Sequence, residues 1–318
     1  LTVGKGAGAV STNTAVGAGA FASNTTGGWN TAVGQNALAS NSTSNNNAAF
    51  GQSSLNKTTG GDNTGVGANS LGNNTSGQYN TAIGSSALIS NTTASNNTAV
   101  GYQSLYSNVT GTENTASGYA ALYSNTSSYN AAFGGFALFT NSTGTYNTAS
   151  GHSSLRYNTT GANNTAFGQS ALFNNTTASN NTAVGYQAGY NNSTGSANIF
   201  IGRTAGLNAT TNYNVYVGFA SGPNNAASTG QYNTAIGSYA GTNLTSGSYN
   251  TFVGCLDATG SYASGGAITT GSKNSILGNY NGNQGGLDIR TASSYIVLSD
   301  GDGNPRIIVD GSGRTGFN

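Results

Sequence analysis

The chain has 318 residues, a formal net charge of +1 and only 5% charged residues. Its eight Lys and Arg residues are too few for a surface that neutralises phosphates, and no apolar run approaches the ~20 residues of a membrane helix. We therefore expect neither nucleic-acid binding nor membrane insertion. One Cys and one His exclude a disulfide framework and a Cys or His metal cluster, so no cofactor or metal is expected.

The chain begins at Leu1 rather than Met and shows no secretory signal, so we expect a trimmed chain or a fragment. A partial repeat, Thr2 to Gly4, precedes the first full one without an obvious cap. An upstream continuation is therefore expected as well.

The main signal is a repeat that reads roughly Asn-Thr-Ala-Val-Gly-x-x-(Ala/Ser)-Leu-x-x-Asn-x-Thr-x-x-x. Sixteen glycines close its Asn-Thr-Ala-Val-Gly motif, and ten of the fifteen intervals between them are 17 residues. These glycines are Gly17, Gly34, Gly51, Gly67, Gly84, Gly101, Gly118, Gly134, Gly151, Gly168, Gly185, Gly202, Gly218, Gly237, Gly254 and Gly278. Such a period indicates a stack of identical supersecondary units.

Each repeat position has a physical interpretation. The Thr-Ala-Val stretch predicts a strand of about four residues, with Thr and Val on one side and Ala on the other. The Gly predicts a turn with positive φ, and the Ala-Leu pair supplies one large apolar residue per unit. A unit of 17 residues fits one coil with two short strands and two turns. The fold class is therefore all-β, a parallel β-solenoid or β-roll of about sixteen coils.

Stacking places equivalent asparagines above one another. We predict that they form an amide ladder, each side chain bonding to the next, whereas the alternative is that they only form turns. The predicted ladder comprises Asn30, Asn47, Asn63, Asn80, Asn97, Asn114, Asn130, Asn147, Asn164 and Asn181, and Asn13 precedes it.

The predicted core of one coil is thin, with one Val-type and one Leu-type residue and several Ala. We therefore expect further burial between chains, in an intertwined or side-by-side homotrimer. Aromatic residues beside the repeat are candidates for subunit contacts or for an exposed sugar-binding face. They are Tyr79, Tyr102, Tyr106, Tyr119, Tyr123, Phe136, Phe139, Tyr157 and Phe173.

The pattern predicts a repeat shaft over residues 1–278, with a variant from about 185, where the Leu becomes Gly at Gly189, Gly206, Gly222 and Gly241. A longer insertion, Leu256 to Gly271, interrupts the pattern after Gly254. Residues 279–318 form a separate segment with a β-hairpin or β-prism character, because two β-branched runs flank an Asp-Gly-Asp-Gly-Asn-Pro turn. Asp300, Asp302 and Asn304 have the spacing of a calcium loop, but Pro305 and Gly311 replace the Gly and Glu that it requires, so a plain turn is favoured.

The repeat resembles two families. It is similar to bacteriophage tail fibre proteins with N-T-A-V-G-Y-x-(A/S)-L repeats, as in Asn97 to Leu105, over nearly the whole chain. Lys273 to Gly278 and Ile296 to Gly313 resemble the part of such fibres before a self-cleaving intramolecular chaperone. The resemblance implies a homotrimer from which a chaperone beyond Asn318 was removed. The repeat also resembles the head repeats of trimeric autotransporter adhesins, whose unit is shorter.

No catalytic group emerges from the sequence. Asp62 and Glu113 are the only acids in residues 1–254 and lie about three coils apart, while His152 and Cys255 each occupy a variable position after a repeat Gly. We therefore expect no enzyme, with a depolymerase that uses neighbouring chains as the remaining alternative.

Two surface alternatives also stay open. Sequons are expected to be turn residues or, alternatively, to carry glycans on an extracellular surface. They start at Asn24, Asn41, Asn91, Asn108, Asn141, Asn158, Asn175 and Asn192. The regular Thr column could form an ice-binding face, although Ala48 and Ala131 interrupt it.

These observations together predict a structural fibre protein. Its expected role is a phage tail fibre shaft, on a virion, that presents a binding surface for a host glycan or other receptor. The alternative is a bacterial cell-surface adhesin or a self-assembling extracellular filament.

Overall fold

The computed structural model describes residues 3–225, 227–255 and 263–317. It divides into two compact units, residues 1–160 and 161–318. Both units are all-β, and the only helix in the described residues is a short 3-10 turn at Ala7–Ala9. The predicted fold class, a parallel β-solenoid with a C-terminal antiparallel region, is confirmed.

Unit 1 is a stack of nine coils that each contribute one three-residue strand. Its strands are β1 (Val3–Gly4), β2 (Thr14–Val16), β3 (Thr31–Val33), β4 (Ala48–Phe50), β5 (Thr64–Val66), β6 (Thr81–Ile83), β7 (Thr98–Val100), β8 (Thr115–Ser117), β9 (Ala131–Phe133) and β10 (Thr148–Ser150). Strands β2 to β10 pair in parallel and in register, so equivalent repeat positions are direct neighbours. The short β1 pairs antiparallel with β2.

Unit 2 contains seven further coils and the C-terminal segment. Its strands are β11 (Thr165–Phe167), β12 (Thr182–Val184), β13 (Ile199–Ile201), β14 (Val215–Val217), β15 (Thr234–Ile236), β16 (Thr251–Val253), β17 (Ser275–Leu277), β18 (Asn283–Gln284), β19 (Leu287–Asp288), β20 (Ile296–Ser299), β21 (Pro305–Val309) and β22 (Thr315–Phe317). Strands β11 to β17 and β20 are parallel neighbours, while β21 and β22 add antiparallel strands. The predicted hairpin is therefore β20–β21. The predicted insertion begins in residues 256–262, which lie outside the described residues.

The interior of a coil is narrow. In β6 the middle residue Ala82 is fully buried, and Leu88 from the following turn is fully buried beside it. In β5 the middle residue is Gly65, where even a Cβ would lie 2.5 Å from the Ser54 hydroxyl oxygen. A small residue at this strand position is therefore a steric requirement in the coils where a leucine or a serine from the facing turn fills the interior.

Two details differ from the sequence prediction. The Val-type residue is not in the core but faces outward, as Ile83 (41% exposed) shows, because only the middle residue of each three-residue strand points into the narrow interior. The described coils also contain one strand rather than two. The Ala-Leu side is a run of turns, since residues such as Asn36 (φ 55°) and Leu38 (φ 51°) have left-handed backbone angles.

The repeat glycine closes each strand at a corner where only glycine fits. Gly84 has φ 134°, and a Cβ there would lie 2.5 Å from the carbonyl oxygen of Gly101 in the next coil. Successive glycines therefore stack directly on one another, which fixes the spacing of the coils at this corner.

Candidate functional site

The predicted Asn column lies inside the coils and joins them. The backbone N–H of Asn97 donates to the side-chain oxygen of Asn80 at 3.0 Å, and that of Asn114 donates in turn to Asn97 at 3.0 Å. The Asn97 side-chain amide donates to the carbonyl oxygen of Gly111 in the next coil at 2.9 Å. The main ladder bond thus runs from a backbone N–H to an amide oxygen, and not only between amides.

A second Asn column was missed by the sequence interpretation. It consists of the sequon asparagines, all of which are buried: Asn24, Asn41, Asn91, Asn108, Asn141, Asn158, Asn175 and Asn192. The Asn91 amide, for example, donates to the side-chain oxygen of Asn74 at 2.7 Å and to the carbonyl oxygen of Ala94 at 3.0 Å. A buried amide held by two hydrogen bonds cannot carry a glycan, so the alternative of glycosylated sequons is wrong. The constant spacing of these residues from the strand was the signal that could have revealed the column.

The titratable side chains of the repeat are not brought together. Asp62 and Glu113 are both exposed, and Asp62 accepts a hydrogen bond from the Asn46 amide at 3.0 Å. His152 is exposed and contacts the Phe136 ring edge-on, with centroids 6.0 Å apart. Cys255 is exposed. In residues 3–225, 227–255 and 263–317, no three His, Cys, Asp or Glu side chains form a metal-binding group.

In the Asp300–Asn304 turn, the Asp300 carboxylate is occupied by partners from the hairpin itself. The Asp300 side chain accepts hydrogen bonds from the backbone N–H groups of Asp302 at 3.1 Å and Asn304 at 2.9 Å. It also pairs with Arg306 at 2.5 Å. The Asn304 N–H, followed by the Arg306 guanidinium, lowers the pKa of Asp300. These contacts are those of a hairpin turn, as the sequence favoured.

The outward face of the strands is a stripe of apolar side chains. Its column at the third strand residue includes Phe50, Val66, Ile83, Val100 and Phe133 in unit 1, and Val184, Ile201, Ile236, Leu277 and Leu298 in unit 2, all exposed. The Thr column lies beside it, but the phenyl rings of Phe50 and Phe133 project from the same face. The flat hydroxyl surface that the ice-binding alternative requires is therefore interrupted.

Aromatic side chains at equivalent positions stack into short ladders. In unit 1 the Tyr106 and Tyr123 rings lie 4.9 Å apart at 6°, and Phe139 continues this ladder at 5.1 Å. In unit 2 the Tyr213, Tyr232 and Tyr249 rings follow one another at 4.9 Å. Of the other candidates, Tyr102 stacks on Tyr119 at 5.6 Å, Phe173 stacks on Tyr190 at 4.9 Å, and Tyr79 is exposed. Stacked rings cover much of one another's faces and present mainly their edges and hydroxyls.

Both arginines of the repeat lie against these aromatic rings. The Arg156 guanidinium carbon is 4.6 Å from the centroid of Phe136 and 5.8 Å from that of Phe139. The Arg203 guanidinium carbon lies between Phe219, at 5.4 Å, and Tyr186, at 5.9 Å. The sequence interpretation did not single out these residues. Their signal was the occurrence of two lone arginines at ring-bearing positions of a repeat with almost no charge.

No family model, curated protein or solved structure matches this chain. In the described residues, no helix has the length and hydropathy needed to cross a membrane.

Proposed function

We propose that this protein is a structural fibre protein without catalytic activity, and specifically a phage tail fibre shaft that presents a surface for binding a host receptor. The proposal rests on one observation: the repeat positions that keep the same residue type from coil to coil are the ones that hold the coils together. The Asn columns, the corner glycines and the buried Ala and Leu all hold one coil against the next. Many of the variable positions face outward and differ from coil to coil, as at Tyr102 and Tyr119.

The outward strand face supports self-association into a homotrimer. In unit 1, nine strands ~4.8 Å apart and about 10 Å wide present roughly 400 Å² of Thr and apolar side chains. A surface patch of this size is often functional. Because the face carries no formal charge, two copies can approach each other without repulsion. We therefore propose a second and a third copy of this chain as its partners.

The mass of the native particle tests this proposal. Light scattering after size exclusion should give a mass near three times 31.5 kDa. The double variant Ile83→Asp/Val100→Asp places two charges on the strand face and should shift the mass towards one chain. The matched control Ser85→Asp places its charge on an exposed residue beyond the corner Gly84 and should leave the trimer intact. A wild-type monomer would contradict the proposed trimer.

One observation favours the alternative of a self-assembling extracellular filament or a cell-surface adhesin. Strand β22 is exposed at all three residues and pairs with β21 along one edge, and no strand of the described residues pairs with its other edge. Unpaired strand edges are templates for the addition of further chains. An open-ended distribution of very large particles in the same experiment would favour the filament.

The proposed location is extracellular, on a virion, with the bacterial cell surface as the alternative. Binding of the fluorescently labelled protein to intact bacterial cells, competed by soluble surface polysaccharide, would test the receptor-binding part. An adhesin and a tail fibre share this result. They are distinguished by whether antibodies against the chain label virions or cells.

A further inference from the structure

The arginines of the chain occur in two different electrostatic settings. In the C-terminal segment, Arg290, Arg306 and Arg314 each pair with an aspartate, at 2.8, 2.5 and 2.6 Å. In the described part of the repeat, Arg156 and Arg203 have no acidic partner and lie against aromatic rings instead. Among its five arginines the chain therefore pairs three with aspartates and leaves two without an acidic partner in the described residues.

Arg156 is held in place while most of its hydrogen-bonding capacity is unused. The Phe136 and Phe139 rings contact its guanidinium, and the Tyr157 centroid is 5.6 Å away. Its Nη1 donates a long hydrogen bond of 3.4 Å to the Ser153 hydroxyl, and its Nε is buried without a hydrogen-bond partner. A guanidinium has five N–H donors in a planar fork. Contacts with aromatic rings orient this fork and satisfy none of its donors.

The surroundings of Arg156 add aromatic surface and no negative charge. From Phe136 the rings continue to Tyr119, with centroids 5.0 Å apart, and then to Tyr102 at 5.6 Å. Tyr119 and Tyr102 are 51% and 47% exposed. Asp62 and Glu113, the only acids in residues 1–254, both occupy the turn position before a strand rather than this side of the coil. An anion that approaches Arg156 thus meets one positive charge, aromatic edges and phenol hydroxyls.

We propose that Arg156 and its aromatic neighbours bind a carboxylate-bearing sugar of an acidic polysaccharide. The carboxylate accepts two hydrogen bonds from the guanidinium fork, and the exposed edges and hydroxyls of Tyr119 and Tyr102 contact the adjacent sugar. Arg203, which lies between Tyr186 and Phe219 in unit 2, occupies a different repeat position but offers a second guanidinium held by aromatic rings. This inference rests on the proposed receptor-binding function and names the chemical class of the receptor.

A site with a single positive charge between aromatic rings suits a carboxylate-bearing sugar better than it suits a polyanion such as a nucleic acid. Nucleic-acid binding requires several cationic side chains that each contact a phosphate. Here each site has one guanidinium. A planar carboxylate matches the fork bidentately, and a sugar ring offers hydroxyls together with C–H groups that pack on aromatic surface.

The test uses three uronate polymers, namely alginate, polygalacturonate and hyaluronan, each compared with its carboxyl-reduced counterpart, in which the carboxylates are converted to alcohols. Binding to the immobilised polymers is measured by biolayer interferometry with the full chain. At least one uronate polymer should bind at least tenfold more tightly than its reduced form, and the Kd should rise with salt. If no polymer binds more tightly than its reduced form, the proposal is overturned.

Two substitutions locate the binding site. Arg156→Gln should raise the Kd at least fivefold, and Arg156→Gln/Arg203→Gln should abolish the preference for the carboxylated polymer. Arg156→Tyr is a folding control, because tyrosine already occupies the equivalent position at Tyr106 and Tyr123. This variant should lose binding to the same extent as Arg156→Gln while the thermal unfolding curve stays unchanged.

Lys57→Gln is the matched charge control. Lys57 is exposed in unit 1 and donates a hydrogen bond to the side-chain oxygen of Asn73 at 2.9 Å. Its substitution should leave the Kd unchanged. Equal losses from Lys57→Gln and Arg156→Gln would show nonspecific attraction to net charge and would overturn the site. Trimeric protein that binds cells but prefers no uronate polymer would overturn this inference alone, whereas a monomer that binds neither would overturn the proposed function as well.

Discussion

The two units fill the same narrow coil with different side chains. In unit 1 the middle strand residue is small, as at Ala99, and a leucine such as Leu105 enters from the facing turn. In several coils of unit 2 the large residue comes from the strand, as at Phe200, where the facing residue is Gly206, although the first coil of the unit keeps the pair of Ala166 and Leu172. A Cβ at Gly206 would lie 2.4 Å from Phe200 Cδ1, and a Cβ at Gly189 of the preceding coil would lie 2.4 Å from Cδ2. One phenyl ring thus occupies the space of two facing side chains.

The comparison shows that the architecture conserves the packed volume and not the residue that provides it. Close packing requires that every coil be filled without voids, but the strand or the turn can supply the atoms. The two arrangements differ in the conformational strain of the backbone at the facing turn residue. Leu105 has φ 50°, a left-handed conformation that costs roughly 1–2 kcal/mol for a residue with a Cβ, whereas glycine adopts it freely.

The largest expected effect comes from giving unit 2 the unit 1 side chain. Gly206→Leu should lower the free energy of unfolding by about 4 kcal/mol, because overpacking against Phe200 adds to the left-handed strain. The double variant Phe200→Ala/Gly206→Leu recreates the pair of unit 1 and should recover most of the loss. Urea unfolding followed by circular dichroism measures both.

The recovery is expected to be incomplete, because the side of Phe200 that faces Gly189 stays empty. If the double variant is less stable than Gly206→Leu alone, the two units do not share one packing rule. Phe200→Ala alone serves as the control and should cost about 3–5 kcal/mol.

A smaller loss of stability is expected when the buried leucine of a unit 1 coil is truncated. Leu105→Ala should lower the free energy of unfolding by about 3 kcal/mol, since a fully buried leucine leaves a cavity that a rigid stack cannot close. Thr98→Ala, at an outward position where other coils have Ala48 and Ala131, should change it by less than about 0.5 kcal/mol. A loss below about 1 kcal/mol in Leu105→Ala would mean that the neighbouring coils collapse into the space.

The smallest effect concerns the buried phenol of unit 2. Burial raises the pKa of Tyr216 strongly, and the side chain of Asn233 opposes part of this shift. Above pH 10 the unfolded chain loses this proton while the folded chain keeps it, so the stability should fall by about 1.4 kcal/mol per pH unit. Tyr216→Phe should remove the part of this fall in the free energy of unfolding that Tyr216 causes above pH 10.

Tyr280 has a pKa raised by burial too, so part of the pH dependence should remain in the variant. Urea midpoints at several values from pH 9 to pH 11 would show the difference. Identical pH dependence in wild type and Tyr216→Phe would contradict the assigned role of Tyr216. Below pH 9 the tyrosine contributes no pH dependence.

The segment from Asn97 to Gly101 illustrates which features of the fold could be predicted from the sequence. The repeat predicted the Thr98-Ala99-Val100 strand, the corner at Gly101 and the stacking of Asn97 on its neighbours. It also predicted that Ala99 and Val100 face opposite sides. It did not predict which side is inside, because a period of two distinguishes the faces of a strand without assigning either to the core. The sequence interpretation therefore placed the Val-type residues in the core, whereas they line the outer face.

The candidate binding surface was predicted in part. The aromatic residues were singled out from their recurrence, but Arg156 was not, since its meaning depends on the rings of Phe136 and Phe139 in the preceding coil. These residues are 20 and 17 positions earlier in the chain, and only the coil stacking brings them into contact.

The sequence by itself determined the period, the all-β class, the residue types at each corner and the hairpin at Ile296–Val309, because each follows from local backbone preference or from repetition. The tertiary structure alone decided which side of each strand is buried, that the sequon asparagines lie inside, and that the two arginines of the repeat lie on aromatic rings. These features depend on the small cross-section of the closed coil and on its alignment with the next one, and both arise only when residues about 17 positions apart are packed together.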